Sequence, residues 1–196
     1  MIQREEGAPP PRTAAAHGPL PAWLAPASHG AAFFYGMGVR ARAALLARRA
    51  PERAGVPVIS VGNLTAGGTG KTPFVRWVVR TLQEAGHRPV IALRGYAARE
   101  GRSDEAMEYR ALLAGTPIAL GANRHAAIVQ HRAADPAIDC AVLDDGFQHR
   151  QLARDLDIVL VDATRPALDG ALLPAGWLRE PASALRRADL VVVTQI

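Results

Sequence analysis

Two periodicities alternate along this chain and predict its architecture. Short, almost wholly apolar runs occupy 58–61, 89–93, 118–120, 138–143, 156–161 and 190–194, as expected for strands buried on both faces of a parallel sheet. Between them lie stretches with a helical period at 73–85, about 104–113 and about 124–133. In the first, Phe74, Val75, Val78, Val79 and Leu82 form one face, Arg76, Arg80, Gln83 and Glu84 the other, and Gly86 ends the helix. Strand-helix alternation of this kind predicts an α/β fold with a mostly parallel sheet and flanking helices. Upstream, 31–50 reads as a helix whose second half carries Arg40, Arg42, Arg48 and Arg49. Residues 1–30 hold Pro9, Pro10, Pro11, Pro19, Pro21 and Pro26 and are expected to be largely a mobile tail. The expected division is 1–55, tail and helix, and 56–196, the α/β core.

The chemistry begins where the first strand meets the first helix. The stretch 56–73 reads VPVISVGNLTAGGTGKTP. Its end matches G-x-x-x-x-G-K-[ST], in which backbone amides wrap nucleotide phosphates, Lys reaches the β and γ oxygens and the hydroxyl holds Mg²⁺. The candidate nucleotide-binding residues are Thr65, Ala66, Gly67, Gly68, Thr69, Gly70, Lys71 and Thr72, with Thr65 where the first Gly is usual. Gly67 and Gly68 still let the backbone approach an anion closely, and the following helix turns its positive end toward it. Of the 23 Lys plus Arg residues only Lys71 is Lys. A compact ammonium fits among phosphate oxygens where a planar guanidinium does not.

The run 138–145 places carboxylates directly after an apolar strand, at the edge where open α/β sheets bind ligands. Asp144 and Asp145, with Thr72, are the candidate Mg²⁺ residues. Around them the string Asp144-Asp145-Gly146-Phe147-Gln148-His149 resembles that of the tetraacyldisaccharide 4′-kinase family. So do the loop from Gly62 to Pro73, the turn Leu93-Arg94-Gly95-Tyr96 with Leu for Ser, the turn Ser103-Asp104-Glu105 with Ser for Gly, and LLPAGWLREP from Leu172 to Pro181. The motifs stand in the family's order across the α/β part.

That resemblance implies a P-loop NTPase-like fold for the α/β part, with ATP and Mg²⁺ as cofactors, while the helix before it is read as membrane-associating from its own residues. It implies phosphorylation of the 4′-hydroxyl of a tetraacyl glucosamine disaccharide 1-phosphate, giving lipid IVA, at the cytoplasmic face of the bacterial inner membrane. Asp104 corresponds to the family's catalytic acid residue, the candidate base for the hydroxyl proton. His149 and Glu180 fall in family motifs as candidates for organising the site or the sugar, and Arg124 is a weaker candidate for a phosphate contact. The resemblance also places a partner His in a second lobe beyond residue 196, so the chain reads as a fragment expected to hold ATP yet transfer poorly.

Net charge of +5 and a pI near 10.3 favour anionic partners. The arginines are scattered and no nucleic-acid module is recognisable, so nucleic acid is not expected. Trp23, Phe33, Phe34 and Tyr35 beside the arginines suit a helix end at an anionic membrane surface, and packing on the protein's own core is the equal alternative. Glu5, Glu6 and the prolines argue against a secretory signal. The lone Cys140 excludes a disulfide framework and reads as a core residue. His17, His29, His87, His125 and His131 show no metal-ligand spacing. Two other readings remain open: a nucleotide-binding fragment without turnover, and a partitioning-type ATPase, whose signature needs Lys where Ala66 stands.

Overall fold

The structure, a computed structural model, describes residues 19–67, 69–95, 104–164, 168 and 170–194. The tail 1–18, Gly68, Tyr96 and Ser103 lie outside these. Helix α1 (Ala25–Ala47) precedes six strands and three further helices: β1 (Val58–Asn63), α2 (Lys71–Glu84), β2 (Pro89–Leu93), α3 (Asp104–Leu112), β3 (Ile118–Leu120), α4 (Arg124–Ala134), β4 (Cys140–Asp144), β5 (Leu156–Asp162) and β6 (Leu190–Thr194). All strand pairs are parallel, in the order β3-β2-β4-β1-β5-β6. The α/β expectation holds.

The pleat divides the core. Ile91, Leu93, Val142, Ile158 and Leu160 face α2 and α3, whereas Val90, Ala92, Ala119, Ala141 and Leu143 turn to the other side, against Ala127 and Ile128 of α4. Adjacent residues of β2 and β4 thus serve opposite layers, which is why these strands are apolar throughout. A third cluster, Leu64, Phe147, Val159, Leu178 and Ala184, closes the sheet's C-terminal edge.

Three element starts differ from the sequence reading. Helix α1 starts at Ala25, so Pro26 lies within its first turn, where a missing N–H costs no helical bond. Phe33 and Phe34 therefore stand in mid-helix. Helix α2 starts at Lys71, capped by Gly70 in the left-handed region (φ 75°). Strand β4 starts at Cys140 because the Ile138 amide donates back to the Asp135 carbonyl in a turn.

Strands β1 and β4 lie side by side at the sheet's centre, with Val61 opposite Asp144, so the glycine-rich turn leaving one meets the carboxylates leaving the other. The approach requires Gly62: a Cβ there would lie 2.6 Å from Phe147 Cβ and 2.7 Å from its backbone nitrogen. Gly62→Ala should cost about 1–3 kcal/mol, as overpacking against fixed backbone does. A lowered urea midpoint with an unchanged slope would register it.

Candidate active site

The phosphate loop is framed by a distant segment. The Ala66 amide donates to the Trp177 carbonyl and the Arg179 amide to the Leu64 carbonyl, both at 2.8 Å, with Thr65 paired antiparallel to Leu178. One amide expected to face phosphate is thus satisfied within the protein. Gly67 (φ 118°) and Gly70 (φ 75°) take backbone angles that side chains resist. Thr194 Oγ1 donates to the buried Thr69's carbonyl at 3.1 Å.

Lys71 and the two carboxylates form a polar cluster with a clear division of roles. The ammonium donates to Asn63 Oδ1 at 3.1 Å and lies 3.6 Å from Asp145 Oδ1. Asp145, left-handed at φ 51°, also accepts from Arg179 on both oxygens, at 3.0 and 2.8 Å, and its carbonyl accepts from Arg124 at 3.1 Å. Burial works to raise the Asp145 pKa, but Lys71, Arg179 and Arg124 outweigh it and hold the carboxyl below its usual range. Asp144 is different. It is buried, accepts from Tyr109 on Oδ2 at 2.9 Å, and has no hydrogen-bond partner on Oδ1. Burial pushes its pKa up. An unpartnered, buried carboxylate oxygen at the end of β4 fits a cation site.

Beside this cluster opens a cavity of about 480 Å³, walled on one side by Tyr35, Arg42 and Leu46 of α1 and on the other by Arg94, Arg124, Asp145, His149, Arg179 and Glu180. Helix α1 is fastened to the core by Tyr35, whose hydroxyl donates to the Arg179 carbonyl at 3.0 Å. Glu180 pairs with Arg187 at 2.9 Å, and the Arg187 guanidinium stacks over Phe147 at 4.4 Å. Arg154, ion-paired with Asp157, donates to the carbonyls of Phe147 and His149 and so fixes the turn carrying both. Burial, then Arg124, Arg154, Arg42 and Arg94, depress the His149 pKa to about 4.

The family model described as LpxK, tetraacyldisaccharide-1-P 4′-kinase, matches residues 21–196. The chain belongs to this family. It is 42% identical over 188 residues to a tetraacyldisaccharide 4′-kinase of Geobacter sulfurreducens, covering 84% of this chain and 52% of that protein. With that of Pseudomonas putida it shares 43% over 156 residues, 73% of this chain and 46% of that one. The crystal structure of LpxK from Aquifex aeolicus in complex with ATP superposes with a TM-score of 0.71 at 32% identity, covering 88% of this chain and 58% of that chain. The chain spans about half the length of the curated relatives it matches.

Of the residues singled out within the family motifs, Lys71, Thr72, Asp144 and Asp145 gather at the ends of β1 and β4, while His149 and Glu180 line the cavity. Asp104 opens α3 and is exposed. Its neighbour Glu105 has its pKa raised, by burial first and then by Asp144 and Asp145, so this end of α3 faces the carboxylates. Arg124 is more than the helix-start residue its position suggested, since it is 2% exposed. Asn63, Tyr109, Arg154 and Arg179 were not singled out. Asn63 and Arg179 sit inside strings that were read as motifs, whereas Tyr109 looks in sequence like any core aromatic.

The His149 shift sets a pH dependence. Its folded pKa near 4 lies below the ordinary value of about 6.5, so between these values the unfolded chain binds the extra proton. This contribution to stability is intact above about pH 6.5 and is lost as pH falls toward 4. His149→Gln should flatten the urea midpoint over that window, and NMR should show the imidazole still neutral at its upper end.

Proposed function

We propose that this chain binds Mg²⁺ and ATP at the 65–72 loop and supplies catalytic residues for transfer of the γ-phosphoryl group to the 4′-hydroxyl of an acylated glucosamine disaccharide 1-phosphate, yielding lipid IVA. The observation that carries the reading is the junction of β1 and β4, where the chain's single Lys and an unpartnered carboxylate oxygen adjoin an arginine-lined cavity. The shared loop pattern and the family's likeness to a protein solved with ATP support it.

In this reading Thr65 to Thr72 cradle the phosphates, with Lys71 as the point charge on the β and γ oxygens. Thr72 and Asp144 would hold the metal, while Asp145 fixes Lys71 and Arg179 in place. Mg²⁺ there would supply positive charge against the negative charge that develops during transfer. Among the described residues no three His, Cys, Asp or Glu side chains form a metal cluster. That suits Mg²⁺, which is commonly held by one or two carboxylates together with substrate phosphate and water. Arg42, Arg94, Arg124 and Arg179 make the cavity attractive to an anionic acceptor, with His149 and Glu180 organising its polar wall. Asp104 takes the proton from the attacking hydroxyl. Transfer of this kind depends on positioning and electrostatics, and a neutral His149 keeps the wall free of a further positive charge.

The membrane contact belongs to α1. No helix among the described residues is long and apolar enough to cross a bilayer. Ser28, Ala32 and Gly36 of α1 are buried, whereas Trp23 just before the helix and Phe33 and Phe34 within it are 78%, 64% and 72% exposed. Aromatics with nearby arginines suit a helix lying at the headgroup level of an anionic leaflet. These features support a seat on the cytoplasmic face of the inner membrane, with the cavity opening beside the lipid it takes.

Substitutions at two positions separate binding from transfer. Lys71→Ala should abolish most ATP binding by calorimetry and Lys71→Arg should weaken it despite the retained charge. In a full-length form, Asp104→Asn should leave ATP affinity little changed while cutting labelled-phosphate transfer to the disaccharide lipid by orders of magnitude. Absence of Mg²⁺-dependent ATP binding by the unsubstituted chain would overturn the reading.

Replacing Trp23, Phe33 and Phe34 together by Ser should release the protein from vesicles containing phosphatidylglycerol, and added salt should weaken binding of the parent chain. Vesicle co-sedimentation unchanged by the triple substitution would move the contact away from α1.

A further inference from the structure

Tyr109 is the bulkiest of the fully buried side chains among the described residues, at 1% exposure. Its ring packs in the α2–α3 layer of the core, yet its hydroxyl serves the site. It donates to Asp144 Oδ2 at 2.9 Å across a separation of 35 residues. The direction of this bond follows from donor and acceptor inventory. An ionised carboxylate can only accept, so the phenol proton is committed to Asp144.

One of the residues proposed to hold the metal is thereby oriented from behind. Asp144 is pinned through Oδ2, leaving Oδ1 buried and without a partner. We propose that Tyr109 is a positioning residue that presets the Asp144 carboxylate, with Oδ1 open, for the divalent cation accompanying ATP. The inference rests on the reading of the loop as a Mg²⁺ and ATP site. It assigns a role to a side chain outside every motif string noted in the sequence. Because α3 also begins with Asp104, the same helix that bears the proposed base carries the group that sets the metal carboxylate.

Hydrogen bonds behind the ligands of a metal are worth about 10- to 100-fold in its affinity. The test is calorimetric titration of ATP into the unsubstituted chain and Tyr109→Phe, each with Mg²⁺ and with EDTA. Tyr109→Phe keeps the ring and removes only the hydroxyl. The gain in ATP affinity from Mg²⁺ should shrink about tenfold or more, while affinity in EDTA stays near that of the parent. Tyr109→Leu, which also lacks the hydroxyl, should lose the same gain, and thermal unfolding without ligand confirms that each variant is folded. A full Mg²⁺ gain in Tyr109→Phe overturns the proposal. So does an equal loss of affinity with and without metal, which would mean that the phenol only supports loop packing. If the parent chain shows no Mg²⁺-dependent ATP binding, it is the underlying functional reading that fails.

Discussion

Asp145 holds the C-terminal edge of this molecule together. Lys71 from the start of α2 and Arg179 from the segment after β5 converge on its carboxylate, and Arg124 from the start of α4 reaches its carbonyl. Three separately folded stretches are tied by one residue at the turn out of the central strand. Each cation loses water in coming there, and the arrangement is favourable because the same small volume provides a compensating charge and directed acceptors. Without that carboxylate, two positive groups would be left facing each other. Its left-handed backbone is what turns side chain and carbonyl toward different partners.

The adjacent carboxylate is set by the opposite principle. Asp144 meets a neutral phenol in place of a cation, so half of its acceptor capacity is satisfied and half is left open. Two consecutive residues of one type thus acquire different chemistry from their surroundings alone. Asp145 is held below the usual carboxylate range and Asp144 is pushed above it.

Much of this was legible in the sequence, for a physical reason. Strands buried on both faces leave unbroken apolar runs, and β2, β3 and β6 fall at the residues those runs marked. The phosphate loop and the carboxylates are local strings with mechanical meaning. What sequence could not supply was the approach of residues remote along the chain. Tyr109 gave no sign that its hydroxyl meets Asp144, because core tyrosines have no fixed spacing to their partners. Arg124 looked solvated because burial of a guanidinium depends on the carbonyl awaiting it. Pro26 argued against a helix until its place in the first turn was known. In α1, Ser28, Ala32 and Gly36 are buried while Phe33 and Phe34 are exposed, a division of faces that the sequence pattern did not mark.

The framing of the phosphate loop bears on how the molecule comes to be folded. Thr69 is tied to Thr194 across 125 residues, and Ala66 waits for the carbonyl of Trp177. Contacts of such long sequence separation form only after much chain entropy has been lost. The early half of the chain can therefore form α2 while the loop still lacks its frame, and while β1 and β2 still lack β4, the strand that lies between them. The anion-binding turn, first to be made along the chain, is among the last parts to take its final shape.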